Sequence, residues 1–124
     1  MSTDITGWVE IKRNDRNDLW LGVVNILPIM NRNYLMFDFL FGGRSENYEE
    51  ALAPLRRLQK TEVSRQAESG GNYESWIGLD QLLAIDWTQH QEIFSDDWQR
   101  LIQIMKLLAE NDRVTEVRLI VNFF

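Results

Sequence analysis

The stretch SDDWQRLIQIMKLLAENDRVTEVRLIVNFF, residues 95–124, joins the clearest helix pattern of the chain to a clear strand pattern. Ser95 is suited to cap the helix, and the two aspartates after it stand where the helix dipole favours negative charge. Apolar residues at helical spacing predict one buried stripe, made of Trp98, Leu101, Ile102, Met105 and Leu108. After residue 112 the spacing changes to the alternation of a strand, whose two faces carry different side chains.

Three further strand patterns lie near the start of the chain. Residues 7–13 alternate and residues 19–24 are more uniformly apolar, so the polar residues between them predict the turn of an antiparallel hairpin. The run YLMFDFLF, residues 34–41, is rich in strand-forming aromatic residues and predicts a third strand. Two glycines follow this run and are expected to end the strand.

The middle of the chain predicts a helix and then a loop. Residues 47–60 have helical spacing of leucine, with Asn47 as the cap and Pro54 as the position of a kink. Residues 61–72 are polar and rich in turn-forming residues, which is typical of a loop.

The stretch NYESWIGLDQLLAIDW, residues 72–87, is interpreted as a structural anchor. Gly78 is placed to begin a short helix, and Gln81 three residues later is placed to complete its capping box. One face of this helix carries Leu79, Leu82 and Leu83. A tryptophan on each side of the helix then packs the chain where it enters and leaves.

The same stretch resembles a segment of a group of small uncharacterised proteins of bacteria and their phages. In that group the segment runs His-Ser-x-Ser-Trp-Leu-Thr-Leu-x-Glu-Leu-Leu, with Asp-Trp shortly after. The matching positions here are Ser75, Trp76, Leu79, Leu82, Asp86 and Trp87. The histidine of the group falls on Asn72, and its Thr and Glu fall on Gly78 and Gln81. The resemblance implies a bacterial or phage context and implies no activity.

Together these patterns predict an α+β fold: one domain over residues 1–124, with a mainly antiparallel sheet of about four strands and helices packed on one face. The C-terminal strand is expected to pair within the sheet, because exposed aromatic residues at a free end promote aggregation. If the strand that ends at Phe124 lay at an edge, strand pairing between two copies would give a homodimer.

Charge and composition exclude several classes of function. The formal net charge is −6, and residues 66–112 carry nine acidic residues against two basic ones. Such a chain is repelled by phosphate backbones and anionic lipid, so we expect neither nucleic-acid binding nor membrane binding. The acidic segment serves solubility or faces a basic partner. The chain has no cysteine, no secretory signal pattern and no apolar run of membrane-spanning length, which predicts a cytoplasmic protein.

The sequence offers few candidates for chemistry. His90 is the only histidine, so we expect no metal site, no cofactor and no catalytic group, and we lean towards a protein that is not an enzyme. Asp38 interrupts an apolar run, and is expected to face solvent or an arginine such as Arg118 or Arg32 rather than to be a buried acid. Arg44 and Ser45 lie between a predicted strand and a predicted helix and are expected to form a plain turn. The alternative is an anion site, for which Arg44 beside a helix N-terminus is the best candidate in the chain.

Two hypotheses of function follow. The first is a non-catalytic protein-binding module of inhibitor or immunity type, whose acidic segment meets a basic surface of a protein partner. Its interface residues would be Tyr73, Glu74, Asp86, Trp87, Glu92 and Trp98, since aromatic residues often dominate interface energy. The alternative is a small-molecule binder or small enzyme that holds an anionic or nucleotide-like ligand with Arg44, Ser45 and Asp38.

Overall fold

The computed structural model describes residues 5–27, 30, 34–42, 51–53, 64 and 73–123. Within them the elements in chain order are β1 (Ile5–Arg13), β2 (Arg16–Asn25), α1 (Tyr34–Phe41), β3 (Tyr73–Gly78), α2 (Leu79–Leu83), a 3₁₀ turn (Trp87–Gln89), α3 (Asp96–Ala109) and β4 (Val114–Phe123).

The four strands form one antiparallel sheet in the order β2-β1-β4-β3. β1 and β2 form the predicted hairpin. β4 pairs with β1 on one side and with β3 on the other, which confirms that this strand pairs within the sheet. The predicted homodimer requires that the strand ending at Phe124 lie at an edge of the sheet. This strand, β4, is paired on both sides as far as Phe123, so it offers no free edge there.

The helices pack on one face of the sheet, which confirms the α+β class. Alternate residues of the strands and the inner face of α3 form the core between the two layers, with Val9, Ile11, Ile77, Val117, Leu119 and Val121 from the sheet. The predicted stripe of α3 is confirmed: four of its members are buried and Leu108 is partly buried. Ser95 occupies the N-cap position, although its hydroxyl makes no capping bond.

The start of α2 also follows the prediction. Gly78 has extended backbone at the N-cap, and its N–H donates to Oε1 of Gln81 over 3.0 Å. Leu79 and Leu82 of α2 are buried, whereas Leu83 is half exposed. The short helix is therefore held by its cap and by two leucines.

The prediction of a strand over residues 34–41 is wrong, because this run forms α1. Met36, Phe37, Leu40 and Phe41 are buried, and this spacing belongs to one face of a helix. Almost every residue of the run is apolar, so alternation and helical spacing fit it equally well. The glycine after the run fits the helix, since helices commonly end at a glycine with left-handed backbone.

Gly42 follows α1 directly and has φ of 73°. We expect Gly42→Ala to lower the free energy of unfolding by about 1–2 kcal/mol, because a Cβ is unfavourable in this conformation. Gly42→Asn should lose less, since asparagine visits the left-handed region more readily. Urea denaturation of the three proteins measures both effects. Equal stability of Gly42→Ala and the wild type would contradict the assignment of Gly42 as the helix terminator.

Most of the predicted helix over residues 47–60, with Asn47 and Pro54, and most of the loop over residues 61–72 lie outside the described residues. Residues 51–53 are described, and their backbone bends instead of making a helical turn, so the helix prediction is wrong there. Ala53 joins two elements: its N–H donates to the carbonyl of Leu40, and its carbonyl accepts from the hydroxyl of Ser75 over 2.6 Å. Among the described helices, none has both the length and the apolar character to cross a membrane.

Candidate functional site

A charged pair lies on the sheet face that is turned away from the helices. Glu10 of β1 and Arg118 of β4 are direct cross-strand partners. Their sequence neighbours on both strands point into the helix-facing core, so both side chains project to the second face. The side chain of Glu10 is 0% exposed and that of Arg118 is 3% exposed.

Both oxygens of the Glu10 carboxylate accept hydrogen bonds. Nε of Arg118 donates to Oε1 over 2.7 Å, and the backbone N–H of Ser64 donates to Oε2 over 2.7 Å. A buried carboxylate is tolerated only when it is paired and hydrogen-bonded, and Glu10 meets both conditions. The pair thus places a fixed, internally compensated charge at the centre of this face.

Two tryptophans stand beside this pair. The guanidinium carbon of Arg118 lies 3.8 Å from the ring centroid of Trp20 and 5.1 Å from that of Trp76. Nζ of Lys12 lies 4.8 Å from the centroid of Trp20 and 3.7 Å from a carboxylate oxygen of Glu116. The faces of aromatic rings attract cations. Trp20 lies against both Arg118 and Lys12, and Trp76 lies against Arg118.

Next to the tryptophans is a cleft of about 140 Å³, which we call the tryptophan cleft. It is located where the end of α3, the start of α2 and the start of β4 meet. The lining of the cleft includes Trp20, Trp76, Asp80, Ala109, Glu116 and Arg118. Asp80 and Glu116 are exposed, so they place carboxylates at its rim.

The surface of residues 73–123, which supply β3, β4 and α3, is acidic. Residues 73–123 contain nine carboxylates, and each is exposed or half-buried. Of the four basic side chains in the same span, Arg118 is buried against Glu10, which leaves Arg100, Lys106 and Arg113 at the surface. Arg100 is paired with Asp97 over 3.2 Å. The surface of this span is therefore more acidic than its sequence indicates.

The predicted interface residues on the described part of the chain do not form one cluster. Asp86 is exposed and accepts from the N–H of Thr88 as the cap of the 3₁₀ turn. Trp87 is half-buried: its indole N–H donates to the carbonyl of Leu82, and its ring stacks on Phe94 with centroids 4.3 Å apart. Glu92 is exposed and lies in the turn before α3.

Two more predicted interface residues belong to β3, which is close to the tryptophan cleft. Glu74 is half-buried on this strand. Tyr73 begins the strand and pairs with Phe123, but its side chain lies outside the described part.

The prediction that Trp98 is an exposed interface residue is wrong. Its side chain is 0% exposed, and its ring meets Phe37 edge-on with centroids 5.5 Å apart. The physical reason is the helical spacing of α3, which points Trp98 towards the sheet together with Leu101 and Met105. The same spacing had also assigned this residue to the buried stripe, and that assignment is confirmed.

The residues predicted to bind an anion do not form a described site. Arg44 and Ser45 lie outside the described residues. Asp38 lies on α1 and not on a strand, so the argument from a carboxylate in an apolar strand no longer applies; its side chain is not among those described. Of the two arginines offered as its partner, Arg118 pairs with Glu10, and Arg32 lies outside the described residues.

His90 takes a cap position. It ends the 3₁₀ turn, and its ring lies 4.5 Å from that of Phe39. Across the described ranges, no group of three or more His, Cys, Asp or Glu side chains is placed to hold a metal ion.

Sequence reasoning missed the residues around which the cleft is built. Glu10 and Arg118 each interrupt a strand whose neighbours are apolar, and that interruption was the available signal. Their pairing required the register between β1 and β4, since the two residues are 108 positions apart. Comparison of the chain with protein-family models, with curated proteins and with solved structures gives no match.

Proposed function

We propose that the protein is a non-catalytic binding module that docks its acidic surface onto a basic surface of a protein partner, in the manner of an inhibitor or immunity protein. The observation that carries the proposal is the surface charge of residues 73–123, where seven exposed and two half-buried carboxylates stand against only three basic side chains at the surface. Complementary charge steers two proteins into contact and selects against partners of the wrong sign.

The distribution of these carboxylates supports a broad contact. Asp86, Glu92 and Asp96 lie around the start of α3, while Glu110 and Asp112 lie just beyond its end. A helix of 14 residues is about 21 Å long, so the two groups stand well apart on the surface. A basic partner would therefore meet an extended acidic face rather than one point charge.

The first experiment identifies the partner and its charge. The tagged protein is purified gently at low salt from a lysate of its natural host, and the complex is weighed by native mass spectrometry. We expect a mass equal to the chain plus a protein with a basic surface. A complex with an acidic protein, or a mass that exceeds the chain by only a few hundred daltons, would overturn the proposal.

The second experiment tests the acidic face with four substitutions that leave the capping and paired carboxylates in place: Glu92→Gln, Asp96→Asn, Glu110→Gln and Asp112→Asn. Each exposed charge contributes on the order of 0.3 kcal/mol, so together they should weaken partner binding roughly tenfold. Isothermal titration calorimetry at low salt and at about 0.15 M ionic strength should show that the loss shrinks as salt rises.

The matched control reverses the sign of the change. Lys106→Gln and Arg113→Gln remove two exposed bases from the same surface and should leave partner binding unchanged or stronger. If both sets of substitutions weaken binding equally, or if neither alters its salt dependence, charge complementarity is not what holds the complex.

A further inference from the structure

We propose that the tryptophan cleft receives the side chain of a lysine or arginine from the basic partner. This inference rests on the proposed function and makes it more specific, since it names one contact point on the acidic face. The cleft, its aromatic walls and the charges at its rim each support a cationic guest.

The charges come first. Asp80 and Glu116 are exposed carboxylates on the lining of the cleft, whereas the charge of Arg118 is compensated by Glu10 at 2.7 Å. Lys12 offsets Glu116 only in part, because the two groups are 3.7 Å apart and largely solvated on the Glu116 side, which is 59% exposed. An anion entering the cleft would meet the carboxylates of its rim, while a cation would be attracted by them.

The end of α3 adds to the same polarity. Ala109, the last residue of this helix, lines the cleft. The C-terminus of a helix carries partial negative charge from its carbonyl groups, which stabilises a nearby cation. The start of α2 also lines the cleft, and Asp80 in its first turn offsets the partial positive charge of that helix end. The exposed carboxylates and the end of α3 therefore favour a cationic guest.

The walls suit the shape of a long basic side chain. Trp20 and Trp76 line the cleft with indole rings, on which an aliphatic stem can pack while its charged group remains near the rim. Arg118 and Lys12 lie 3.8 and 4.8 Å from the ring centroid of Trp20, so cations of the chain itself already pack on this ring. Pockets for drug-sized ligands measure about 300–1,000 Å³, so a cleft of about 140 Å³ suits one side chain better than a nucleotide.

The test is an NMR titration that follows the indole N–H signals of the full chain. The probes are N-acetyl-lysine amide and N-acetyl-arginine amide, with N-acetyl-norleucine amide as the neutral control and N-acetyl-glutamate amide as the anionic one. Trp20→Phe and Trp76→Phe assign the two signals of the cleft. We expect saturable shifts of these two signals with the basic probes only, while the signal of the buried Trp98 stays in place.

A pair of variants separates the cleft from general attraction. Asp80→Asn removes a rim carboxylate, and Glu92→Gln removes an equal charge near the other end of α3. We expect Asp80→Asn to weaken binding of N-acetyl-lysine amide at least threefold and Glu92→Gln to leave it unchanged. Equal shifts with the norleucine probe, stronger shifts with the glutamate probe, no shift with any probe, or equal effects of the two variants would each overturn the inference.

The two proposals fail in different ways. If the basic probes leave the indole signals in place while the four acidic substitutions still weaken partner binding, the acidic face stands and the cleft is not its contact point. If the probes bind in the cleft but the partner ignores all charge substitutions, the cleft takes cations and the proposed mode of docking is wrong.

Discussion

Replacing Arg118 with methionine will lower the free energy of unfolding by about 3–5 kcal/mol, because removal of one partner leaves the buried carboxylate of Glu10 without a counter-charge. Glu10 is 0% exposed, so water cannot replace the lost guanidinium without opening the second face of the sheet. Methionine keeps the length and much of the volume of the side chain, which limits the packing loss. Chemical denaturation monitored by tryptophan fluorescence measures the change.

The control for this experiment is the double variant Glu10→Gln with Arg118→Met. The amide oxygen of glutamine can still accept from the N–H of Ser64, which now lies 2.7 Å from the Glu10 carboxylate, and no buried charge remains. We expect the double variant to recover most of the stability lost by Arg118→Met alone. If Arg118→Met is no less stable than the double variant, an unpaired buried charge does not cause the loss of stability. The Glu10–Arg118 pair then contributes little to the free energy of unfolding.

Replacing Trp98 with alanine will cost a similar amount, about 3–5 kcal/mol, because it empties the largest fully buried side-chain volume of the core. The ring of Trp98 on α3 also packs edge-on against Phe37 of α1. Its removal therefore leaves a cavity between these two helices. Thermal and urea unfolding should both show the loss. A small loss would mean that the helices collapse into the vacated space.

Trp98→Phe is the conservative partner of this variant. The indole N–H of Trp98 finds no hydrogen-bond partner in the described part of the chain, and an unsatisfied buried donor costs about 1–3 kcal/mol. Phenylalanine removes that donor while it keeps most of the packing, so we expect a loss of less than about 1.5 kcal/mol. Binding of the basic partner should not change, because this residue does not reach the surface; weaker binding would restore Trp98 to the interface.

The sequence predicted those parts of the fold that depend on neighbouring residues. The capping of α2 by Gln81 and the stripe of α3 both arise from contacts within a few residues, so their patterns are readable in the chain. The run of residues 34–41 was misread because it is apolar at nearly every position, and neither helical nor strand period stands out in it. There the deciding contacts are tertiary ones.

The candidate site could not be predicted from the sequence for a different reason. The tryptophan cleft combines side chains from β2, β3 and β4 with the ends of two helices, and no local pattern links them. Only the order β2-β1-β4-β3 brings Trp20 and Trp76 to the two sides of Arg118. The acidic character of the surface could be predicted, since it follows from composition. The burial of Arg118 against Glu10, which removes a positive charge from that surface, could not be predicted.

The interior position of β4 also has a consequence for how the chain is made. Both β1 and β3 pair with β4, which is the last of the described strands to be synthesised. Until β4 has been synthesised, β1 lacks the strand that pairs with its second edge. The Glu10 carboxylate also lacks its counter-charge, because Arg118 lies 108 residues downstream. Sheets closed by such distant contacts form slowly, so the hairpin of β1 and β2 keeps an unpaired strand edge until β4 has been made, and such an edge favours aggregation.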